Sequence, residues 1–574
     1  MRLGNSVRRL RIGLIMMTVV MVIFTGRLVQ LQVVSDAKYA AAAEQQRLEK
    51  VTLPATRGDI ATRNGATLAT TVKRKTIFAD PALVQRLEDA HKAATQLAPL
   101  LEMPVAEVEE QLRTPDDRYV VLRQTVEPAL ARRIMELDID GIGTKPERQR
   151  VYPSGKLAAN IIGFVGSDGV GAVGLEYGMN DVLAGKDGKK IVEIGRRGQA
   201  IPSASDFRRP PQPGRDVRLT IDRDLQWKAQ QAIAKQVRKT KAQRGSVIVM
   251  DPETGEILAL AVAPTFNPAQ PAETPSKYWN NPPLQHVFEP GSTAKVITMA
   301  AALEGSYTPA TKVTVPPVLR AYGETIHDAH AHGTVHMSLA GVLAKSSNIG
   351  TALVAQQVGA KRLYHAMRDF GLDRPLDIGF PGATDGKVPP PEEWDGINQY
   401  TIPFGQGISV NAVQMASVYA TIANGGVRVS PSLVAGTQGA EGEFEPAPEP
   451  ERRRVVSKKT AHQLTRMLEL AASERGTGAN AQIQGYRIAG KTGTAQRVDP
   501  DCGCYRGYNA MFSGFAPAGD PQLVVQVVLH DPQRGHYGGQ VAAPVFRDVM
   551  SFALKSLEIP PSGTEPAKLP LHPK

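Results

Sequence analysis

The chain begins with Arg2, Arg8, Arg9 and Arg11 and passes into residues 12–25, which carry no charge. That run is shorter than the roughly 20 residues a membrane-spanning helix needs. A helix can continue through Leu28, Val29, Leu31, Val33 and Val34, with Arg27 reaching back to the interface. No small-residue cleavage pattern follows closely. The pattern predicts an uncleaved anchor over 12–34 rather than a cleaved signal peptide. The arginines ahead of it predict a cytoplasmic tail, 1–11, and an exported body.

Beyond the anchor, the polar, Ala-rich residues 36–50 predict a helix or stalk. Residues 55–65 read as two strand pieces about a turn at Asn64-Gly65. Helical periodicity follows around 82–101, 104–112 and 127–137. Residues 201–216, rich in Pro and polar side chains, predict a linker or crossing segment. The texture then changes. A short strand is predicted over 217–221 and a helix over 225–239. Apolar runs at 245–250 and 256–263 flank Asp251-Pro252-Glu253-Thr254-Gly255, a hairpin signal. A second strand pair, 511–516 and 522–530, turns around 517–521, and the block between the two hairpins is mostly helical. Strands, then helices, then strands predict one sheet with helices packed on it and a helical subdomain at one side. The fold class is therefore α+β and multidomain, with boundaries at 1–11, 12–34, 35–213, 214–558 and 559–574. Residues 439–454 read as an exposed loop and the Pro-rich residues after Ile559 as a disordered tail.

At 574 residues the chain is too long for one core. Its 42% hydrophobic and 21% charged content is ordinary for folded protein. The net charge of +11 comes without a long Lys/Arg run, zinc-finger spacing or an RNA-binding aromatic signature. Nucleic acid is not an expected partner, and a membrane surface or anionic polymer suits the charge better. Cys502 and Cys504 read as incidental loop thiols, or as a pair bonded to each other in a small ring or to another chain.

Three short motifs carry candidate chemistry. Ser292-Thr293-Ala294-Lys295 follows Glu289-Pro290-Gly291 and leads into an apolar helical run. Spacing of three puts Ser292 and Lys295 on one helical face, within hydrogen-bond reach, with the hydroxyl at the positive end of the helix dipole. A serine nucleophile needs an adjacent base, and a lysine of lowered pKa serves. Ser346-Ser347-Asn348 adds a hydroxyl that relays a proton and an amide that holds the lysine and a substrate amide. Lys491-Thr492-Gly493-Thr494 reads as an edge strand. Lys491 supplies charge, Gly493 admits a substrate backbone, and Thr492 and Thr494 bind a terminal carboxylate. The backbone N–H groups of Ser292 and Thr494 make an oxyanion hole. Each motif alone is common and structurally neutral. The ordered set is the one found in penicillin-binding proteins and β-lactamases.

The chain resembles class B penicillin-binding proteins over nearly its whole length. Arg57-Gly58-Asp59-Ile60 with Arg63-Asn64-Gly65 is similar to the family's first N-terminal motif, with Thr62 where an Asp is usual. Arg150, Tyr152-Pro153 and Gly155, and then Gly174-Leu175-Glu176, are similar to the second and third. Leu219-Thr220-Ile221-Asp222 with Leu225-Gln226, and the segment Phe404-Gly405-Gln406-Gly407-Ile408-Ser409-Val410, resemble parts of the transpeptidase domain. Phe164-Val165-Gly166, Asp168-Gly169, Gly171, Gly198 and Ile201-Pro202 resemble the division-specific, FtsI-like branch in an actinobacterial style.

The resemblance implies a non-catalytic pedestal, 35–213, and a penicillin-binding transpeptidase domain, 214–558. It implies Ser292, Lys295, Ser346, Asn348 and Lys491 as catalytic residues, with no metal or organic cofactor. Substrates are stem peptides on lipid-linked nascent glycan, and β-lactams acylate the same serine. No glycosyltransferase domain precedes the pedestal, so the family implies a SEDS-type, FtsW-like polymerase and other division membrane proteins as partners. The implied setting is a single-pass cell-membrane protein with its catalytic domain outside.

Rival readings are an elongation transpeptidase, a carboxypeptidase or β-lactamase, and a non-catalytic scaffold. A class A β-lactamase needs a second Glu base with Asn four residues on, but Ile397 holds that place after Glu393. All three motifs are intact, against a scaffold. The residues His327, Asp328, His330, His332 and His336 look metal-like but are expected to form a polar surface loop. Arg452-Arg453-Arg454 is expected to be solvated, and Trp279 and Trp394 to serve packing.

Overall fold

Residues Ser6–Val29 form one fully exposed helix of 24 residues with mean hydropathy 2.2, long and apolar enough to cross a membrane. The computed structural model describes residues 6–30, 48–115, 117–193, 207–499 and 502–573. The end of the expected anchor, most of the expected stalk, Gly198 and Ile201-Pro202 lie outside them. This helix belongs to a compact unit of residues 1–56 and 185–214. In the same unit Leu48–Leu53, Gly188–Glu193 and Phe207–Arg209 form a three-stranded antiparallel sheet.

The second unit spans 57–184 and 215–574. In its first part, Ile60–Ala61 and Thr67–Ala79 pair about the expected Asn64-Gly65 turn, where Gly65 has φ +80°. Thr62 caps that turn, accepting from the Ala66 N–H at 3.1 Å. Val120–Val126 and Ile142–Val151 extend the sheet across Thr67–Ala79. On the other side it continues through Asp216–Leu219, Val434–Gln438 and Phe444–Pro446. The three N-terminal motifs meet in the interior. Glu176 is fully buried and accepts from Arg57 Nε at 2.6 Å and Arg150 Nε at 2.7 Å. The Tyr152 hydroxyl donates to Glu176 at 3.5 Å and accepts from the Val165 N–H at 3.0 Å.

Two expectations need correction. The helix predicted over 82–101 is two, Pro81–Leu87 and Ala90–Leu101, because the Asp89 carboxylate caps a new start by accepting from the His91 N–H. Residues 439–454 are not simply an exposed loop. Phe444–Pro446 pairs with Val434–Gln438, and Arg452–Arg454 pairs with Val427–Val429. Among the described residues after Ile559 there is no helix or strand, yet this stretch is tied down. Ser338 donates from Oγ to the Pro570 carbonyl at 2.6 Å and from N–H to that of Leu571 at 2.9 Å.

The rest of this unit is built on a five-stranded antiparallel sheet. Its strands are β1 (Arg244–Met250), β2 (Ile257–Ala263), β3 (Ala489–Asp499), β4 (Cys504–Ala516) and β5 (Leu523–His530), in the order β2-β1-β5-β4-β3. Both faces of β1, β2 and β5 are buried, which is why these three strands read as continuous apolar runs. Val247, Val249, Phe512 and Val525 pack on one side beneath helices α1 (Arg223–Thr240) and α6 (Ala543–Ser556). Ile248, Met250, Met511 and Val528 pack on the other, with α2 (Lys295–Leu303) and α5 (Ala412–Ala423), whose residues are all buried. The helices α3 (Leu339–Lys345) and α4 (Asn348–Val358) flank that layer and carry the second motif between them. At the tip of the β3–β4 hairpin Cys502 and Cys504 form a disulfide.

Candidate active site

Ser292 sits in a single 3₁₀ turn, Gly291–Thr293, that runs into α2 and leaves it half-buried. The turn is possible because two glycines meet. Gly291 has φ +51°, and a Cβ there would come within 2.9 Å of the Ala495 Cβ. Gly405, φ +87°, lies so close that any Cβ would overlap the Gly291 backbone, and its carbonyl accepts the Gly291 N–H at 3.0 Å. Tyr419 on α5, fully buried, donates its hydroxyl to the Thr293 carbonyl at 2.9 Å. Glu289 Oε1 accepts from the Gly407 N–H at 2.9 Å and the Tyr505 hydroxyl at 3.0 Å.

The second motif closes onto the first. Lys295 is fully buried and donates to the Ser346 carbonyl at 2.5 Å, to Ser346 Oγ at 3.3 Å and to Asn348 Oδ1 at 2.7 Å. Among the described residues no hydrogen bond joins Ser292 Oγ to Lys295 Nζ, contrary to the spacing argument. The amine is engaged instead by the turn between α3 and α4. Ser346 takes φ +60°, an uncommon region for a residue with a side chain.

β3 is the edge strand, as its motif predicts, and its side chains divide between two faces. Gly493 faces the Gly291–Thr293 turn: a Cβ would stand 2.8 Å from Thr293 Cγ2. Its missing side chain thus makes room for Thr293, where the sequence reading reserved it for a substrate backbone. Thr492 Oγ1 lies 2.6 Å from Thr477 Oγ1, and Thr494 Oγ1 accepts from the Gly538 N–H at 3.1 Å. Lys491 is fully buried, with Nζ 3.0 Å from the Thr492 carbonyl.

Burial drives both lysines toward neutrality. It lowers Lys491 to about 7. Lys295 is held well below the usual lysine range by burial first and by the charge of Lys491 second, with Asp328 opposing. Asp328 was set aside with the polar histidine loop in the sequence. In the structure its carboxylate reaches the second motif, accepting from Asn348 N–H at 2.6 Å and Ser347 Oγ at 2.6 Å. Among the described residues no group of three or more His, Cys, Asp or Glu is placed to hold a metal ion.

Comparison with known proteins bears on this geometry. Residues 245–551 match the penicillin-binding protein transpeptidase domain, and residues 52–219 match the penicillin-binding protein dimerisation domain. Penicillin-binding protein PbpB of Mycolicibacterium smegmatis is 36% identical over 98% of this chain and 92% of its own length. The chain belongs to the class B penicillin-binding proteins. Peptidoglycan D,D-transpeptidase FtsI of Escherichia coli is 34% identical to this penicillin-binding protein over 94% of the chain and 90% of its own length. The solved structure of penicillin-binding protein 3 from Mycobacterium tuberculosis, complexed with aztreonam, superposes with a TM-score of 0.72 at 31% identity. The match covers 91% of this chain and 100% of that one.

Proposed function

We propose that this penicillin-binding protein is a peptidoglycan D,D-transpeptidase of septal wall synthesis, with Ser292 as nucleophile. The observation that carries the reading is the buried lysine pair. Lys295, held well below the usual lysine range by its burial first and by the charge of Lys491 second, stands one helical turn from a half-buried serine. Ser292 Oγ attacks the penultimate D-alanine carbonyl of a stem peptide and gives its proton to Lys295. The tetrahedral oxyanion takes hydrogen bonds from the backbone N–H groups of Ser292 and Thr494. The C–N bond then breaks, and the proton passes through Ser346 to the leaving D-alanine amine. An amine of a neighbouring stem peptide attacks the ester, forms the cross-linking amide and returns the proton to Ser292. Asn348 orients Lys295 and the substrate amide. Lys491, Thr492 and Thr494 hold the terminal carboxylate, with Gly493 keeping the strand against the nucleophile turn.

The same reading assigns residues 12–34 as a single-pass anchor with a cytoplasmic N-terminus. Residues 35–213 are then a pedestal and 214–558 an extracellular catalytic domain acting on lipid-linked nascent glycan. A SEDS-type, FtsW-like glycosyltransferase and other division membrane proteins are the partners, and β-lactams are covalent inhibitors. The test uses the full chain with a D-alanyl-D-alanine stem peptide and an amine acceptor. Stoichiometric D-alanine release with acceptor-dependent amide product supports transfer. Release that ignores the acceptor marks a hydrolase and overturns the reading.

A further inference from the structure

The loop before α3 reaches the second motif through one carboxylate whose placement the proposed reaction does not use. Asp328 has a side chain only 8% exposed. Its Oδ1 accepts from the N–H groups of Asn348 at 2.6 Å and Ile349 at 3.0 Å, the first two donors of α4. Its Oδ2 accepts from Ser347 Oγ at 2.6 Å and lies 3.1 Å from His332 Nε2. Ser347 meanwhile caps α4, its hydroxyl oxygen accepting from the Gly350 N–H at 2.8 Å. The neighbouring His327 carbonyl accepts from Asn348 Nδ2 at 3.1 Å. That last bond fixes which way the amide points, so that Oδ1 and not Nδ2 meets Lys295 Nζ at 2.7 Å.

We infer that Asp328, steadied by His332, is the positioning residue that holds the Ser346-to-Asn348 turn against Lys295 during acyl transfer. The inference rests on the proposed roles of Ser292 and Lys295. A left-handed backbone at Ser346, φ +60°, is uncommon for a residue with a side chain and persists only where its surroundings over-determine it. Four hydrogen bonds onto one carboxylate at the positive end of α4 do that. His332 is suited to the task in its charged form. Its Nδ1 faces the Gly333 carbonyl at 2.6 Å and its Nε2 faces the Asp328 carboxylate, so both ring nitrogens meet acceptors. Those two contacts raise its pKa, the carbonyl first. Lys295 on α2 meets this turn through Ser346 and Asn348, Lys345 in the last turn of α3 precedes it, and the charge of Lys491 on β3 acts on Lys295. Asp328 opposes the effect of Lys491 on Lys295.

The sign of the consequence follows. Removing the Asp328 charge lowers Lys295 further, so the base stays neutral to lower pH. The test measures the second-order rate of acylation of the full chain by a labelled penicillin against pH, for wild type, D328N and H332A. D328N is expected to slow acylation about 100-fold through misplacement of the turn, and to move the acid limb of the remaining activity to lower pH. H332A is expected to slow it about fivefold, one hydrogen bond's worth, and only below the pH at which His332 is charged. A wild-type rate in D328N, or a slowed rate with the acid limb unmoved, overturns the inference. If D328N does not fold, an H332A loss that is uniform in pH overturns it equally. Failure of wild type to be labelled contradicts the proposed function instead.

Discussion

At the level of single residues, the site depends on placing two amines where water is not. Lys295 and Lys491 are both fully buried, and both are lowered for that reason before any other. In the proposed reaction Lys295 works as a base only when neutral, above its lowered pKa, whereas Lys491 binds a carboxylate as a cation, below about 7. Acylation by penicillin is therefore expected to rise from acid pH as Lys295 loses its proton and to fall through about pH 7 as Lys491 loses its own. A stopped-flow pH profile checks this, and a rate flat across neutrality contradicts it. The residues proposed for these roles stand out in the sequence because they fall in three short, ordered motifs. That Lys295 would bond the Ser346-to-Asn348 turn rather than Ser292 was not readable, since helical spacing gives a shared face but not which acceptor an amine selects. Asp328 was hidden because its partners lie on another element, reached through contacts no local pattern encodes.

At the level of elements, the Gly291–Thr293 turn that carries the proposed nucleophile is set by close backbone approach. Gly405 and Gly291 pack main chain on main chain, and Gly493 lets β3 lie against Thr293. Gly405→Ala adds a methyl group in a left-handed conformation and into the Gly291 carbonyl. It is expected to reduce penicillin labelling by about tenfold or more, as small displacements of reacting groups do. Labelling at the wild-type rate would show that the turn does not depend on this contact. The apolar runs of β1, β2 and β5 and the period of α1 were readable because burial on both sheet faces, or on one helix face, leaves a direct imprint. The break at Asp89 and the pairing of Arg452–Arg454 were less readable. A side-chain cap ends one helix and starts another without disturbing hydrophobic periodicity, and a polar strand on the surface looks like a loop.

At the level of the whole molecule, the catalytic sheet and the N-terminal motifs occur in one chain whose distant segments are joined by ion pairs and strand exchange. Arg57, Arg150 and Glu176 form one buried cluster from three motifs. The strand Asp216–Leu219 pairs with Ile60–Ala61 on one side and Val434–Gln438 on the other. These long-range pairings were not derivable from local pattern; the resemblance carried by the motifs implied the pedestal, but not that one sheet would continue from it into residues 434–446. The C-terminal stretch shows the same limit. Its proline-rich composition predicted disorder, yet the Pro570 and Leu571 carbonyls take hydrogen bonds from Ser338, the cap of the helix that leads to Ser346.

The account depends on Ser292 being the group that forms the acyl-enzyme. The most direct measurement is intact-mass and peptide-mapping analysis of the full chain after exposure to a labelled penicillin, run beside Ser292→Ala. The account predicts one penicilloyl adduct, mapped to the peptide containing Ser292 and absent from the variant. An adduct on another residue, or equal labelling of both proteins, would contradict it.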